Sequence, residues 1–438
     1  MSAREGGPAE GPGLLYVVPR ATGRSASVDA SLLSSAALAT ALGRRLGGAD
    51  LLTPQGFRAV EEAEEAAIRT EDVPSTGRAA VRRLPMSVRL GLSDLRAWRD
   101  AVRLRRDGPR PDAGSASYRL VVQRHHRFQD LGQTLARRLG VPFVLRVDAL
   151  EVLEEESWGL RRPGWGRLVS RRGEVAIMRR ADLVASVSEE VDAQLEAAGV
   201  PAELRSVVPN GVDTERFRPG PSDRELLGQH GLEDRFVVGW IGGFRPFHGL
   251  DLVPELARAL RRRVPRAVIC LVGEGPEKGR LSRRLAGLGD AVRLLPAAPQ
   301  RDVPRWLRSF DVCLALAAPG IFHYSPLKLY EYLACGRPVV ASAAGQMMNV
   351  LTDGEDALLA PGDDSEAIAD AVSRLAVDAG LRERLGSSGR GLVERSASWD
   401  ARAGAILDEL ERKGHGIAAP ADPTLSGPSK SHQRRENV

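Results

Sequence analysis

A lysine and a glutamate three residues apart, in the stretch SPLKLYEYLACGRPVVAS at 325–342, have the chemistry to bind a nucleotide. Ser325 and Pro326 are typical of the residue before a helix and of its first residue, so we predict a helix that begins there. The N-terminus of a helix attracts anions, and Lys328 in the first turn can reach the same anion. Glu331 lies on the same side, where a carboxylate can accept hydrogen bonds from ribose hydroxyls. A plain Lys–Glu surface pair is an equally favoured interpretation.

Apolar strands that alternate with amphipathic helices make up the chain around this stretch. The alternation begins with LLYVV at 14–18 and starts afresh with RFVVGWIG at 235–242. It is typical of parallel sheets with helices on both faces, so we expect an α/β fold of two facing, doubly wound, Rossmann-like domains. In such folds ligands bind at the carboxyl ends of the strands. The helix at 325 follows the strand DVCLALA at 311–317, so we expect its N-terminus to face the cleft between the two sheets.

Length and local composition predict how the chain is divided. Its 438 residues are enough for two domains of about 200 residues each, and the stretch PNGVDTERFRPGPSDREL is typical of a linker. The predicted order is a disordered N-terminus at 1–12, an N-terminal domain at 13–208, the linker at 209–226, a C-terminal domain at 227–392, a helix at 393–412 that packs back on the N-terminal domain, and a disordered tail at 413–438.

The overall composition excludes several classes of protein. Hydrophobic residues make up 43% and charged residues 27% of the chain, which is typical of globular proteins rather than of disordered or membrane-spanning ones. The N-terminus has no apolar signal segment, and Cys270, Cys313 and Cys335 stand in apolar runs without metal-ligand spacing. We therefore expect a reducing, cytoplasmic environment. The net charge of +5 fits a phosphorylated substrate, an anionic membrane or nucleic acid, and it fits an ordinary basic surface at least as well.

Four segments of the C-terminal half occur in a characteristic order. They are VVPNGVDTERFRP at 207–219, VVGWIGGFRPFHGLDLV at 237–253, LVGEGPEKGRL at 271–281 and the stretch at 325–342. With the sequence around them, residues 181–400 resemble the retaining glycosyltransferases of family 4, which have the GT-B fold of two Rossmann-like domains. The resemblance implies that the N-terminal domain binds an acceptor and that the C-terminal domain binds a nucleoside-diphosphate sugar.

The resemblance also implies roles for single residues, with departures at three positions. Glu331 matches the ribose ligand, whereas the glutamate that contacts the donor sugar in the family is replaced by His323. The arginine and the lysine of the glycine loop align with Gly243 and His248. Arg245 stands two positions after Gly243 and could replace that arginine.

A variant group of the family, with HG after an aromatic residue and SPLK before the EY pair, is the most similar to this chain. In that group Lys328 would supply the cation that His248 does not. The predicted catalytic residues are therefore Arg245 and Lys328. The predicted donor-binding residues are Gly242, Gly243, His248, His323, Ser325, Leu327 and Glu331.

On the acceptor side, His125 and His126 follow the predicted strand YRLVVQR at 118–124, and Asp148 follows the next strand. These three residues are weak candidates for contacts with the acceptor, which we expect to be a small molecule or a glycan. For the two histidines a partly buried loop pair is favoured by about two to one. For the basic stretch at 161–180 a solvated helix face is favoured by about two to one over peripheral contact with an anionic membrane.

The predicted function is metal-independent transfer of a hexose-type sugar from a nucleoside diphosphate to an acceptor hydroxyl, in bacterial natural-product or cell-envelope glycan biosynthesis. Retention at the anomeric carbon is implied by the resemblance alone. We expect no cofactor, no metal and no nucleic acid, because the sequence has no Asp-x-Asp triplet, no Cys and His cluster and no known reader motif. A dehydrogenase is disfavoured, because GEGPEKG reads GxGxxxG rather than the dinucleotide fingerprint. The remaining alternative is a non-catalytic nucleotide-sugar-binding subunit, motivated by His323 and His248.

Overall fold

Two largely parallel β-sheets, one in each half of the chain, form the framework of the protein. The computed structural model describes residues 11–19, 30–54, 56–60, 85–107, 118–157, 160–318 and 325–417. The expected α/β fold with two doubly wound sheets is confirmed. Most of the predicted disordered ends, at 1–12 and 413–438, lies outside the described residues, and so does His323.

The N-terminal sheet contains seven described strands. They are β1 (Leu14–Val17), β2 (Ala49–Thr53), β3 (Gly56–Ala59), β4 (Leu120–Arg124), β5 (Phe143–Val147), β6 (Leu183–Ser186) and β7 (Arg205–Val207). They stand in the order β3-β2-β1-β4-β5-β6-β7, and only β2 and β3 pair in the antiparallel sense. The helices of this half are α1 (Ala30–Leu46), α2 (Met86–Asp107), α3 (Leu131–Leu139), α4 (Glu151–Ser157), α5 (Gly164–Met178) and α6 (Glu189–Ala197). Helices cover both faces of the sheet, so its central strands are apolar along their length, and all four residues of β1 are fully buried.

The C-terminal sheet is parallel throughout its described strands. They are β8 (Phe236–Ile241), β9 (Ala267–Val272), β10 (Val292–Leu295), β11 (Val312–Ala315), β12 (Val339–Ser342) and β13 (Leu358–Ala360), in the order β10-β9-β8-β11-β12-β13. The helices of this half are α7 (Arg224–Gln229), α8 (Val253–Arg263), α9 (Lys278–Leu285), α10 (Val303–Ser309), α11 (Leu327–Ala334), α12 (Gln346–Val350), α13 (Ser365–Val377) and α14 (Ala379–Leu392). One further helix, α15 (Trp399–Arg412), closes the described chain.

In each sheet the strand order reverses beside the strand that comes first in the chain. The reversal lies between β1 and β4 in the N-terminal sheet and between β8 and β11 in the C-terminal sheet. Doubly wound sheets bind their ligands at such switch points, outside the carboxyl ends of the strands. The loop after β8 and helix α11, which follows β11, therefore flank the switch point of the C-terminal sheet.

The chain passes between the two halves twice, and the two crossing segments are hydrogen-bonded to each other. The Val212 N–H donates to the carbonyl of Ala397 at 2.9 Å, and the Trp399 N–H donates to the carbonyl of Val212 at 3.2 Å. Helix α15 then joins the core of the N-terminal sheet, where Trp399 and Ile406 share an apolar cluster with Leu42 of α1. The last helix of the described residues thus belongs to the packing of the first sheet.

No helix in the described ranges is long and apolar enough to cross a membrane. The three cysteines are buried, and none of them forms a disulfide with another.

Candidate active site

Two glycine-containing loops, after β8 and after β9, run against each other at the switch point. The Phe244 N–H donates to the carbonyl of Glu274 at 2.8 Å, and the Glu277 N–H donates to the carbonyl of Phe244 at 3.2 Å. Gly275 has φ +158°, and a Cβ there would lie 2.6 Å from the backbone N and O of Phe244. Glycine is therefore required for the close approach. The loop after β8, residues 242–249, is held in place by this contact.

Lys328 lies where the 242–249 loop meets helix α11. Its Nζ lies 3.0 Å from both ring nitrogens of His248 and 4.6 Å from the centre of the Trp240 ring, over which a cation is favoured. A Cβ on Gly242 would lie 3.5 Å from the same Nζ. The ammonium group is thus held at the first turn of α11, where the helix N-terminus attracts anions.

Helix α11 begins one residue later than the sequence predicts. Pro326, predicted as the first helical residue, precedes the helix in an extended conformation, and Leu327 is the first residue. Ser325 does not cap the helix, because its hydroxyl instead accepts the N–H of Asn210 at 3.1 Å. Leu327 packs against the apolar cluster of the N-terminal sheet. Ser325 and Leu327 therefore join the two halves, and their predicted contact with the donor stays a prediction.

Asn210, in the linker, uses all its polar groups to connect three other elements. Its N–H and its Nδ2 donate to the hydroxyl and to the carbonyl of Ser325, at 3.1 Å and 2.9 Å. Its Oδ1 accepts a hydrogen bond from Arg146 of β5, and its carbonyl accepts one from Nε of Arg402 of α15 at 3.2 Å. One buried asparagine thus couples the start of α11 to the N-terminal sheet.

Burial brings the two charged residues of α11 close to their titration points at neutral pH. Burial lowers the pKa of Lys328 to about 7, although the charge of Glu331 opposes this shift. Burial likewise raises the pKa of Glu331 to about 7, against the opposing charges of Arg216 and Lys328. The pKa of His248 is lowered well below its usual value by burial and by the charges of Lys328 and Arg245, so its ring is neutral at pH 7. The ammonium of Lys328 contacts His248 instead of forming a surface pair with Glu331.

The remaining donor-side candidates are Arg245, Gly243 and His323. Arg245 is exposed and forms no salt bridge with any residue that the structure describes, yet its charge acts on His248. A Cβ on Gly243 would meet only the carbonyl of Glu274, at 3.8 Å, so this position has room for a side chain. His323, predicted to contact the donor sugar, lies outside the described residues.

The two histidines predicted for the acceptor lie just beyond the carboxyl end of β4. His125 is buried, and its Nε2 lies 3.0 Å from Oε1 of Glu174 on α5. His126 is partly exposed, with its Nδ1 3.7 Å from Oε1 of Glu151. His125 is thus engaged inside the protein, and His126 is the more accessible of the two.

Carboxylates gather beyond the carboxyl end of β5. Asp148 pairs with Arg124 and lies 3.5 Å from Arg146. Burial, followed by the charges of Glu151 and Asp148, raises the pKa of Glu154 to about 7. Sequence reasoning missed Glu154, although the acidic run of α4 directly after a predicted strand was a visible signal. In the described ranges, no three His, Cys, Asp or Glu side chains form a group that could hold a metal ion.

Comparison with known families gives one match for each half of the chain. Residues 35–216 match the family described as Glycosyltransferase Family 4, and residues 235–378 match the family described as Glycosyl transferases group 1. The first match covers most of the N-terminal sheet, and the second covers the C-terminal sheet with its glycine loop and helix α11.

Solved structures show the same architecture. HepE from Anabaena, solved with UDP and glucose, superposes with a TM-score of 0.63 at 20% identity, covering 91% of this chain and 99% of that one. Sucrose-phosphate synthase from Thermosynechococcus elongatus gives a TM-score of 0.63 at 20% identity, covering 92% and 100%. The GT-B fold is thereby confirmed.

Curated relatives are closer in sequence. The D-inositol 3-phosphate glycosyltransferase of Frankia alni is 32% identical over 333 residues, which are 72% of this chain and 79% of the relative. The GDP-mannose-dependent alpha-(1-6)-phosphatidylinositol monomannoside mannosyltransferase of Mycolicibacterium smegmatis is 30% identical over 310 residues, 69% of this chain and 80% of the relative. The chain therefore belongs to glycosyltransferase family 4.

Proposed function

We propose that this protein transfers a glycosyl residue from a nucleoside-diphosphate sugar to an acceptor hydroxyl, with retention at the anomeric carbon. The observation that carries the proposal is the contact of Lys328 with His248 of the 242–249 loop at the switch point of the C-terminal sheet, with Glu331 one turn further along α11. A diphosphate suits the cation and the helix N-terminus, and the ribose hydroxyls suit the carboxylate. Membership of family 4 supports the same assignment.

The proposed reaction exchanges one bond at the anomeric carbon for another on the same face of the sugar. The bond to the phosphate oxygen breaks, and a bond to the acceptor oxygen forms. The acceptor hydroxyl passes its proton to the departing phosphate oxygen. Negative charge grows on the diphosphate as the bond breaks, so fixed cations aimed at it lower the barrier. We assign this role to Lys328 and to Arg245.

The cations of the chain itself support a reaction without a metal ion. A bound diphosphate would keep Lys328 protonated, because an opposite charge favours the charged form of a lysine. His248 is neutral, so it positions the ammonium of Lys328 and adds no second positive charge there. Arg245 is exposed in the same loop, and its planar guanidinium can bind a phosphate group through two hydrogen bonds.

The names of the two curated relatives both contain inositol, and this supports a class of acceptor. We propose a cyclitol or an inositol-containing molecule, bound beside His126, Asp148 and Glu154. Carboxylates and imidazole accept hydrogen bonds from ring hydroxyls, which such an acceptor has in abundance. Cytoplasmic synthesis of a bacterial natural product or a cell-envelope glycan would use an acceptor of this kind.

The first experiment identifies the donor by thermal shift with a panel of nucleoside diphosphates and nucleotide sugars. A ligand at a hundred times its dissociation constant adds about 2.7 kcal/mol to the free energy of unfolding. Transfer of the sugar to cyclitol acceptors is then measured with that donor. A donor that binds tightly but is neither hydrolysed nor transferred would support the non-catalytic binding subunit, the alternative motivated by His248 in place of a lysine.

The second experiment tests the two cations. Lys328→Ala and Arg245→Ala should each reduce turnover on the order of a hundredfold to a thousandfold, and weaken donor binding less, because the lost interaction is strongest in the transition state. Lys413→Ala is the matched control, since Lys413 lies at the end of α15 and donates to the carbonyl of Glu203. Wild-type turnover in Lys328→Ala, or complete loss of activity with EDTA, would contradict the metal-free mechanism.

A further inference from the structure

The large apolar side chains exposed on the described surface are concentrated on two helices of the N-terminal half. Seven of the ten belong to α2 and α5. They are Met86, Val88, Leu95 and Trp98 on α2, and Trp165, Leu168 and Val169 on α5. Trp165 is 75% exposed and Trp98 is 52% exposed. The sequence favours a solvated face for the second of these helices, but the structure leaves three of its apolar residues outside the core.

Each helix has one face turned to the core and a second apolar face turned to solvent. On α2 the buried Leu90 and Ala101 mark the inner face, whereas Leu95, Trp98 and Val102 follow the i, i+3, i+7 spacing of a separate stripe. The side chains of α5 are divided in the same way. Its inner face includes Ser170, Glu174, Ile177 and Met178, and its outer face carries Trp165, Leu168, Val169 and Arg172 at i, i+3, i+4 and i+7.

Buried ion pairs hold the two helices side by side. Asp94 of α2 accepts hydrogen bonds from Nε and Nη2 of Arg162, both at 3.0 Å, and from the hydroxyl of Ser170 of α5 at 2.7 Å. The side chain of Arg162, which stands just before α5, is only 2% exposed and also pairs with Glu155 of α4. The exposed stripes therefore lie on a fixed pair of helices.

Arginines flank both apolar stripes. Arg89, Arg96, Arg99 and Arg103 lie along α2, Arg161 stands three residues before α5, and Arg172 lies on the outer face of α5. None of these six forms a salt bridge within the part of the chain that the structure describes. Tryptophan and leucine between basic side chains are the composition of helices that lie in the interface of an anionic bilayer. Each basic residue near such a surface adds to the attraction.

We propose that α2 and α5 form a docking surface for an anionic lipid bilayer, with their apolar stripes in the headgroup region and their arginines on lipid phosphates. A second copy of the chain fits this face less well. A symmetric contact would bring the same arginine rows against each other, and like charges across an interface are costly. Helix α5 also carries Glu174, which contacts His125 at the carboxyl end of β4, so this surface lies one helix away from the cleft.

The test uses the full chain and vesicles and needs no donor, so its outcome is independent of the proposed transferase activity. Vesicles of phosphatidylcholine alone are compared with vesicles that contain an equal amount of phosphatidylglycerol, by co-sedimentation and tryptophan emission. Trp98 and Trp165 are exposed, Trp240, Trp306 and Trp399 are buried, and Trp158 lies outside the described residues. The part of a blue shift that is lost on Trp98→Gln or Trp165→Gln therefore reports on the proposed surface. We expect binding to the anionic vesicles only, and weaker binding as salt shortens the screening length from about 10 Å at 0.1 M to about 3 Å at 1 M.

Paired substitutions locate the surface. Leu95→Gln with Trp98→Gln, and Trp165→Gln with Leu168→Gln, should each reduce binding to anionic vesicles by about tenfold or more, because apolar area drives insertion. Val377→Gln is the matched control, since Val377 is 86% exposed on α13 in the other half of the protein. An unchanged thermal midpoint in each variant shows that the fold is intact.

Arg99→Gln with Arg172→Gln should weaken binding to anionic vesicles and lessen its salt dependence, since two of the six arginines are lost. Equal binding to both kinds of vesicle by the wild-type protein, or wild-type binding by both apolar double variants, would overturn the proposal. So would light scattering that shows a dimer which the same substitutions dissociate, because the surface would then belong to a second copy of the chain.

Discussion

Binding of the donor nucleotide sugar should exchange protons with the protein, and the direction of exchange should reverse near pH 7. In the free protein the pKa values of Lys328 and Glu331 are both about 7, because both side chains are partly buried and lose much of their contact with water. A bound diphosphate favours the ammonium form of Lys328, and ribose hydroxyls that donate to Glu331 favour its carboxylate form. Binding therefore adds a proton to the lysine and removes one from the glutamate.

The two contributions dominate on opposite sides of pH 7. At pH 8 a lysine with a pKa of about 7 is about 10% protonated, so binding takes up about 0.9 proton there, while the ionised glutamate releases only about 0.1. At pH 6 the glutamate releases about 0.9 proton and the lysine takes up only about 0.1, so binding releases about 0.8 proton net. The complex holds the extra lysine proton, so affinity falls as the pH rises above 7. It lacks the glutamate proton, so affinity also falls below 7. We expect the highest affinity near pH 7 and a decrease of about threefold at pH 6 and at pH 8.

Titration calorimetry in buffers of different ionisation enthalpy measures this exchange directly. A nucleotide sugar is used rather than a free diphosphate, because its phosphates do not titrate in this range. Lys328→Met should abolish the uptake at pH 8 and keep the release at pH 6, and Glu331→Gln should do the opposite. Lys413→Met is the control and should behave as the wild type. Tight donor binding without proton exchange at either pH, or uptake that persists in Lys328→Met, would refute the assignment of this pair to the donor site.

The loops and the linker allow two further tests, each with a matched control. Gly275→Ala should weaken donor binding by about tenfold or more and lower the thermal midpoint, because its Cβ would meet the backbone of Phe244. Gly279→Ala, where a Cβ meets nothing within 4 Å, should be neutral or stabilise the helix by up to about 1 kcal/mol, and scanning fluorimetry with donor titration measures both variants. Asn210→Ala should reduce the free energy of unfolding in urea by at least about 2 kcal/mol, since it leaves buried partners unsatisfied. Asn349→Ala, which loses one exposed hydrogen bond, should cost less than about 0.5 kcal/mol, and equal effects of the two asparagines would count against the coupling role of the first.

The two sheets could be predicted from the sequence because their strands are apolar along their length. β1 and β8 are runs of apolar residues next to amphipathic helices. A parallel sheet with helices packed on both of its faces buries both sides of such strands. Helix α2 does not follow from periodicity in the same way. Its outer residues Leu95 and Trp98 are as apolar as its inner residue Leu90, so the apolar residues of this helix do not mark a single face.

Residue spacing alone could predict the candidate site only where its residues are neighbours in sequence, and the resemblance added Arg245 and His248. Lys328 and Glu331 share one helix, and their spacing alone brings them to the same side. The contact between Lys328 and His248 joins residues 80 positions apart, and only the packing of the loop after β8 on α11 creates it. The local rule for helix starts also proved wrong at Ser325, because a hydrogen bond to Asn210, 115 positions away, takes its hydroxyl.

The double passage of the chain between its halves limits how such enzymes can be recombined. Helix α15 comes after the whole C-terminal sheet, yet Trp399 and Ile406 fill the core of the N-terminal sheet beside Leu42. A chimera joined only in the linker would set a foreign α15 into that core, where mismatched side chains typically cost about 1–3 kcal/mol each. Exchange of the C-terminal half between relatives therefore needs two junctions, one before Val212 and one after Ala397. In chain order, the C-terminal sheet is thus inserted between β7 and α15 of the N-terminal half.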